Sequence, residues 1–195
     1  MTNFSHTFVV WRTKSRFIGD SSEPMIIMAF LPQNNVDKIS TALISLLDQF
    51  RVVPDYHMIS INSLTTTNPK QAIEGARECA RIESKKGVIV FSGRQCSLGV
   101  SIHNCDIVIL LNNNNSYDLI YQMMFRCMTE GQNKRCGFVI DMNIHRVIDI
   151  SIKYASLIRP SVHPKISLKY ILQERIINLN GNDWMTSFGN RPSKI

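Results

Sequence analysis

The segment DLIYQMMFRCMTEGQ, Asp118 to Gln132, is mostly apolar, yet Gln122 and Arg126 stand four residues apart and Thr129 follows three later. On a helix these three positions share one face. An amide and a guanidinium placed that way make either a solvated stripe on an ordinary amphipathic helix or a face built to touch phosphate. Upstream, SGRQCSLGVS (Ser92 to Ser101) follows an apolar run. It brings a hydroxyl at Ser92, free backbone N–H groups at Gly93 and a guanidinium at Arg94, all of which a phosphate backbone accepts. Gly99 permits a close approach of backbone to ligand. Taken alone, Ser-Gly-Arg is a common turn.

Other reactive residue types carry less. His57 lies in an apolar run and reads as a core histidine; His103 and His145 have no carboxylate or cysteine at ligand spacing. Asp106 reads as a cap or pairing group at a strand start rather than as a base. Five cysteines occur, with no CxxC pair and no histidines at zinc-finger spacing. They read as buried reduced thiols of a cytoplasmic or nuclear protein, and no metal site is expected. Nothing in the surroundings of Cys96 argues for a lowered pKa. Trp11 and Trp184 suit burial better than stacking on bases.

The elements that must position these groups follow from apolar patterning. MIIMAFL (25–31), YHMISI (56–61), GVIVF (87–91), CDIVILL (105–111) and CGFVIDM (136–142) read as short strands buried on both faces. Between them, VDKISTALISLLDQF reads as a helix capped by Asn34 or Asn35, with Val36, Ile39, Leu43, Leu46, Leu47 and Phe50 as its apolar stripe. PKQAIEGARECARIESKK opens on Pro69, which a first helical turn accepts. The segment from Asp118 and IHRVIDISIKYASLI supply two more helices, and 161–179 reads as helical. Phe8 to Trp11 is a short strand candidate. Alternating strands and helices define an α/β protein, a parallel sheet with helices on both faces, plus a helical C-terminal extension. In such sheets ligands bind outside the carboxyl ends of the strands. That places Pro32 to Asn35, Asn62 to Thr67 (with Ser63) and Ser92 to Ser101 at the functional edge.

The 195 residues suffice for one sizeable domain with appendages, and 44% hydrophobic with 19% charged residues describe a globular chain. No apolar run approaches the ~20 residues that span a bilayer, and no signal peptide is read at the start. The expected setting is cytoplasmic or nuclear, without a membrane partner. The net charge of +7 suits an anionic partner such as nucleic acid.

Together, SGRQCSLGVS, the strand CDIVILL and DLIYQMMFRCMTEGQ resemble the second RecA-like domain of superfamily-two helicases and translocases, in the Swi/Snf-like branch. That branch carries Ser-Thr-Arg-x-x-x-Leu-Gly-Ile, a strand, and then Gln-x-x-x-Arg-x-x-Arg-x-Gly-Gln. Ser92, Arg94, Leu98 and Gly99 match the first pattern (motif five); Gln122, Arg126, Gly131 and Gln132 match the second (motif six). MIIMAFLP stands where motif four would. The resemblance covers roughly residues 25–150. It implies a linker or N-terminal extension over 1–24, a RecA-like domain over 25–158 and a helical extension and tail over 159–195. It also implies nucleic-acid contacts by Ser92, Gly93, Arg94 and Ser63. Nucleotide contacts fall to Gly99, Ser101, Gln122 and Arg126, the last two also being the catalytic pair. Thr129 stands where the family has its second motif-six arginine; Lys134 and Arg135 are near. No GxxxxGK[ST] phosphate loop and no strand-closing Asp-Glu pair occur in the sequence. The resemblance therefore implies that ATP and Mg²⁺ are held mainly by an N-terminal RecA-like lobe, in the same or a separate chain. The expected function is the second half of an ATP-dependent helicase or translocase acting on DNA or RNA. The alternative is a non-catalytic nucleic-acid-binding or protein-interaction module on a degenerate helicase fold. The Asn-, Ile- and Lys-rich composition fits AT-rich coding, as in large DNA viruses.

Overall fold

A computed structural model describes residues 9–12, 23–51, 53–62, 66–97, 102, 105–129, 137–158, 160–163, 165–166, 169 and 176–178. The chain divides into two compact units, Thr13–Val139 and a second one made of Met1–Arg12 with Ile140–Ile195.

In the larger unit, β2 (Met25–Phe30), β3 (Tyr56–Ile61), β4 (Gly87–Ser92) and β5 (Cys105–Leu110) pair in the order β3-β4-β2-β5, every contact parallel. β5 then borders the Phe138–Val139 part of β6 (Phe138–Asp141). The α/β arrangement expected from the alternation, a parallel sheet with helices on both faces, is present. The strands form for the reason the sequence announces. Their side chains are apolar on both faces, and β4 is buried along its whole length.

The two faces are covered by different helices. Ile27, Ala29, Ile89 and Phe91 pack with Val36, Ile39 and Leu43 of α1 (Val36–Gln49). The alternate residues Met28, Val88, Val90 and Val108 are equally buried on the opposite face. α2 (Pro69–Ile82) and α3 (Tyr117–Met128) lie against β3, β4 and β5. Burying such side chains is worth roughly 1.5–3 kcal/mol each, and it holds the strand ends still.

Local signals mostly carry through. Pro69 opens α2 behind Asn68, whose side chain accepts from the Gln71 N–H at 3.1 Å. Asp106 sits where the β2–β5 register shifts, and its carboxylate accepts from the Ile26 N–H at 3.0 Å. That is the pairing role expected for it. Three expectations are corrected. Asn35 occupies the N-cap of α1 but in a left-handed conformation (φ 64°), with no side-chain cap bond. Leu46 and Phe50 are exposed, and Ile44 packs on the core instead. His57 is not in the core: its ring is half-buried on β3, 3.9 Å from the Glu83 carboxylate. Among the thiols, Cys96, Cys105 and Cys127 are outside any disulfide and buried as expected, whereas Cys79 is exposed.

In the smaller unit, β1 (Val9–Arg12) pairs antiparallel with β7 (Ile176–Asn178). The strand expected over Phe8 to Trp11 is present from Val9 and runs on to Arg12, Phe8 lying outside the described residues. The helical reading of 161–179 fails at its end, because Ile176, Ile177 and Asn178 are claimed by strand pairing. Three residues with two β-branched members have little helical preference to set against a ladder. Arg146, in the first turn of α4 (Ile144–Ile158), pairs with Asp141, and both side chains are 2% exposed. Arg146 donates to both carboxylate oxygens, at 2.8 and 2.7 Å. No helix among the described residues is long and apolar enough to cross a membrane.

Candidate functional site

β2 lies between β4 and β5, so the chain leaves it toward one side and later returns to the other. A crevice opens outside the carboxyl ends at such a switch point. Two hollows occupy it. The larger, about 770 Å³, is lined by the start of α1 (Gln33 to Lys38), by Ile61 and Asn62 after β3, and by Gly93, Arg94 and Gln95 after β4. The smaller, about 210 Å³, runs from Leu31 and Pro32 past Gly93 and Arg94 to Asn112–Asn114 and Met123. Gln33, Gly93 and Arg94 border both.

The wall geometry explains several residue choices. A Cβ on Gly93 would lie 2.8 Å from Val36 Cγ2, so the turn after β4 packs against the first residue of α1 only as glycine. Asp37 is fixed from β3. Its Oδ1 accepts from Asn62 Nδ2 and, at 3.4 Å, from the Ser60 hydroxyl. Ser40 Oγ donates to the Asp37 carbonyl at 3.0 Å and lies 3.1 Å from Ser60 Oγ. Gln95 donates to the Thr66 carbonyl at 2.8 Å. On the other side Asn112 reaches the Phe30 carbonyl at 3.4 Å and orders the asparagine loop through the Asn114 N–H at 3.1 Å.

The expected site residues fall into three groups. Gly93 and Arg94 are on the crevice wall, Arg94 with its side chain exposed. Ser92 is fully buried, and its hydroxyl is turned to the opposite side, toward Cys96 and Arg126. It forms no hydrogen bond of good geometry, yet it lies near enough to the Cys96 thiol to ease that group's ionisation. Ser63, Gly99 and Ser101, with Leu98, Gly131, Gln132, Lys134 and Arg135, lie outside the described residues.

Gln122 and Arg126 share one face of α3, while Leu119, Met123 and Cys127 are buried, as the spacing predicts. Gln122 is exposed, but Arg126 is half-buried. Burial lowers the Arg126 pKa, with the neighbouring Cys96 and Cys105 thiols working against that shift. Burial likewise pushes the Cys96 thiol up, opposed by the Ser92 hydroxyl and the Arg126 charge. The two sequence segments singled out for phosphate chemistry therefore meet in space: Arg126 of α3 senses Cys96, two residues beyond Arg94. Thr129 ends the helix with its hydroxyl donating to the Phe125 carbonyl at 3.2 Å.

Sequence reasoning missed Asp37, Lys38 and Gln95. Their spacing was visible, but only the folded chain brings α1, β3 and the β4 turn together. It also passed over Tyr117, Tyr121 and Phe125, whose rings follow one another along α3, the first two stacked at 6.0 Å between centroids and the last two tilted at 5.4 Å. Their i, i+4 spacing was the available signal. Among the described residues no group of three His, Cys, Asp or Glu side chains converges as a metal site.

No family model matches the chain, and no curated protein is matched by sequence. Among solved structures, a helicase of Mycobacterium smegmatis, Lhr, bound to single-stranded DNA and AMP-PNP, aligns with 73% of this chain and 18% of its own length. Identity is 10% and the TM-score 0.39. The chain thus spans less than a fifth of that protein.

Proposed function

We propose that this chain is the second RecA-like half of an ATP-dependent nucleic-acid helicase or translocase. The observation that carries the reading is the meeting of the two motif segments, Arg126 of α3 lying beside Cys96 of the turn that presents Arg94. A single strand-end turn or one helical face has many ordinary explanations. Two matching patterns folded into adjacent positions at the carboxyl edge of a parallel sheet have fewer.

In this reading Arg94 holds the nucleic-acid backbone by a charge-assisted bond, and Gly93, buried against Val36, shapes the turn that presents it. Gln122 and Arg126 reach toward the phosphates of a nucleotide. The fit is partial: Gln122 is exposed and Arg126 only partly so, and the pair suits one side of a phosphate group. ATP and Mg²⁺ supply the phosphoryl chemistry, and a first lobe would hold most of both. A desolvated guanidinium interacts more strongly with developing charge than a hydrated one, which gives the half-burial of Arg126 a use.

The test is ATP turnover by the chain joined to such a lobe, with and without single- and double-stranded DNA and RNA. Nucleic-acid-stimulated turnover is expected. Turnover by this chain alone would overturn the half-motor reading. A second reading, a binding module without turnover, is favoured by Thr129, whose hydroxyl is spent on the helix end where the family has an arginine. Intact nucleic-acid binding without stimulated turnover would select it.

A further inference from the structure

We infer that Gln95 is a positioning residue: it holds the turn that carries Arg94 in the shape that meets nucleic acid, and it does so without adding to the stability of the fold. The inference rests on the nucleic-acid reading above and deepens it.

Arg94 is exposed, but the chain on either side of it is fixed. On one side Gly93 is buried and packs on Val36, the first residue of α1, too closely to admit a Cβ. On the other side Gln95 is half-buried, and its Nε2 donates to the Thr66 carbonyl at 2.8 Å. Thr66 is itself held, its N–H donating to the Asn62 carbonyl at 3.0 Å. Asn62, buried just after β3, donates through Nδ2 to the Asp37 carboxylate in the first turn of α1. Hydrogen bonds therefore run from α1 by way of Asn62 and Thr66 to the β4 turn, and the backbone at Arg94 is set from two directions.

Gln95 is a destabilising choice for that place. Its Oε1 is buried and has no hydrogen-bond partner. An unmatched buried acceptor counts against the folded state, whereas an apolar side chain of the same length has no such atom. What the amide supplies and a methionine cannot is the N–H that ties the turn to Thr66. Without that tie the turn samples several shapes, and affinity falls with the fraction of molecules in the competent one. A group that works against stability while ordering a charged turn fits a role in binding rather than in folding.

The experiment is fluorescence anisotropy of the full chain with labelled oligo(dT) and oligo(U), beside thermal unfolding, for the parent, Gln95→Met, Arg94→Ala and the double variant. Gln95→Met is expected to weaken binding roughly three- to tenfold, the net size of one hydrogen bond, with a thermal midpoint equal to the parent's or above it. In the Arg94→Ala background the same replacement should weaken binding no further, because the group it positions is gone. An affinity unchanged by Gln95→Met while Arg94→Ala weakens binding overturns the positioning role and leaves the backbone reading intact. Equal losses in both backgrounds overturn it too, since Gln95 would then act on something other than Arg94. So does a lowered midpoint for Gln95→Met, which marks an ordinary structural bond. A parent chain that binds neither oligonucleotide, or binding that Arg94→Ala leaves unchanged, overturns the functional reading together with this one.

Discussion

Arg126 carries its charge into a partly desolvated place, beside two buried thiols, at the C-terminal end of a helix whose dipole favours a cation. Such a group contributes little to folding, because burial costs what the dipole returns, and much to a transition state that develops charge in front of it. On the proposed reading, Arg126→Ala in a two-lobed protein is expected to lower turnover by roughly 10³-fold or more, with the unfolding midpoint shifted by less than about 1 kcal/mol equivalent. Unchanged turnover would return Gln122 and Arg126 to a solvated stripe. Ser92 behaves oppositely. Its hydroxyl is buried without a well-formed hydrogen bond, so Ser92→Ala removes an unmet polar group and is expected to hold or raise stability by up to about 1 kcal/mol. It should leave nucleic-acid affinity unchanged, since the hydroxyl does not reach the crevice. A salt-titrated affinity lower than the parent's would show that the strand end turns outward on binding. At this scale the sequence reveals which residues share a helical face, since spacing alone decides that. It cannot reveal that Ser92 points inward, because alternation on a strand buried on both faces gives no outward side.

Elements were the most legible level. Each long apolar run became a strand, and Pro69 became the start of a helix, because burial and backbone chemistry act within a few residues. What failed were ends and partners. Leu46 and Phe50 continue the apolar stripe of α1 beyond the sheet they would cover, and the stretch to Asn178 reads as helical until β1 pairs with it. The start of α4 gives an element-level test. Asp141 and Arg146 form a bidentate pair almost out of water, and Asp141 also accepts from the Asn143 N–H at 2.9 Å. Asp141→Ala strands a buried guanidinium and is expected to cost about 3–5 kcal/mol in denaturant unfolding. The double variant Asp141→Leu, Arg146→Met should recover much of that loss, because buried pairs rarely outperform well-packed apolar side chains. A single-variant cost below about 1 kcal/mol would mean that water reaches the pair. At the far end of α3, a Cβ on Gly137 would collide with the Cys127 carbonyl. Gly137→Ala should therefore push the helix that carries Arg126, and lower stability by about 1–3 kcal/mol, readable as an earlier thermal midpoint.

For the whole molecule the governing quantity is charge. An excess of +7 without basic blocks attracts a polyanion diffusely and does not say where it lands. On the proposed reading the crevice supplies the place, with Arg94 exposed on a wall shared by both hollows. Binding that neutralises phosphates releases counterions, so log affinity should fall linearly with log salt, by roughly 0.9 for each phosphate on duplex DNA and about 0.7 on single strands. Arg94→Ala should weaken binding alike for every sequence and flatten that slope by about one phosphate's worth, since a backbone contact positions without reading bases. An arginine elsewhere on the surface of the same unit, such as Arg81, already paired with Glu78 at 2.7 Å, should leave the slope alone when replaced. Affinity measured against salt for the parent, Arg94→Ala and Arg81→Ala separates site from diffuse attraction. If both variants shift affinity equally, the polyanion is held by net charge alone. If only Arg94→Ala flattens the slope, the turn after β4 is where the backbone lies.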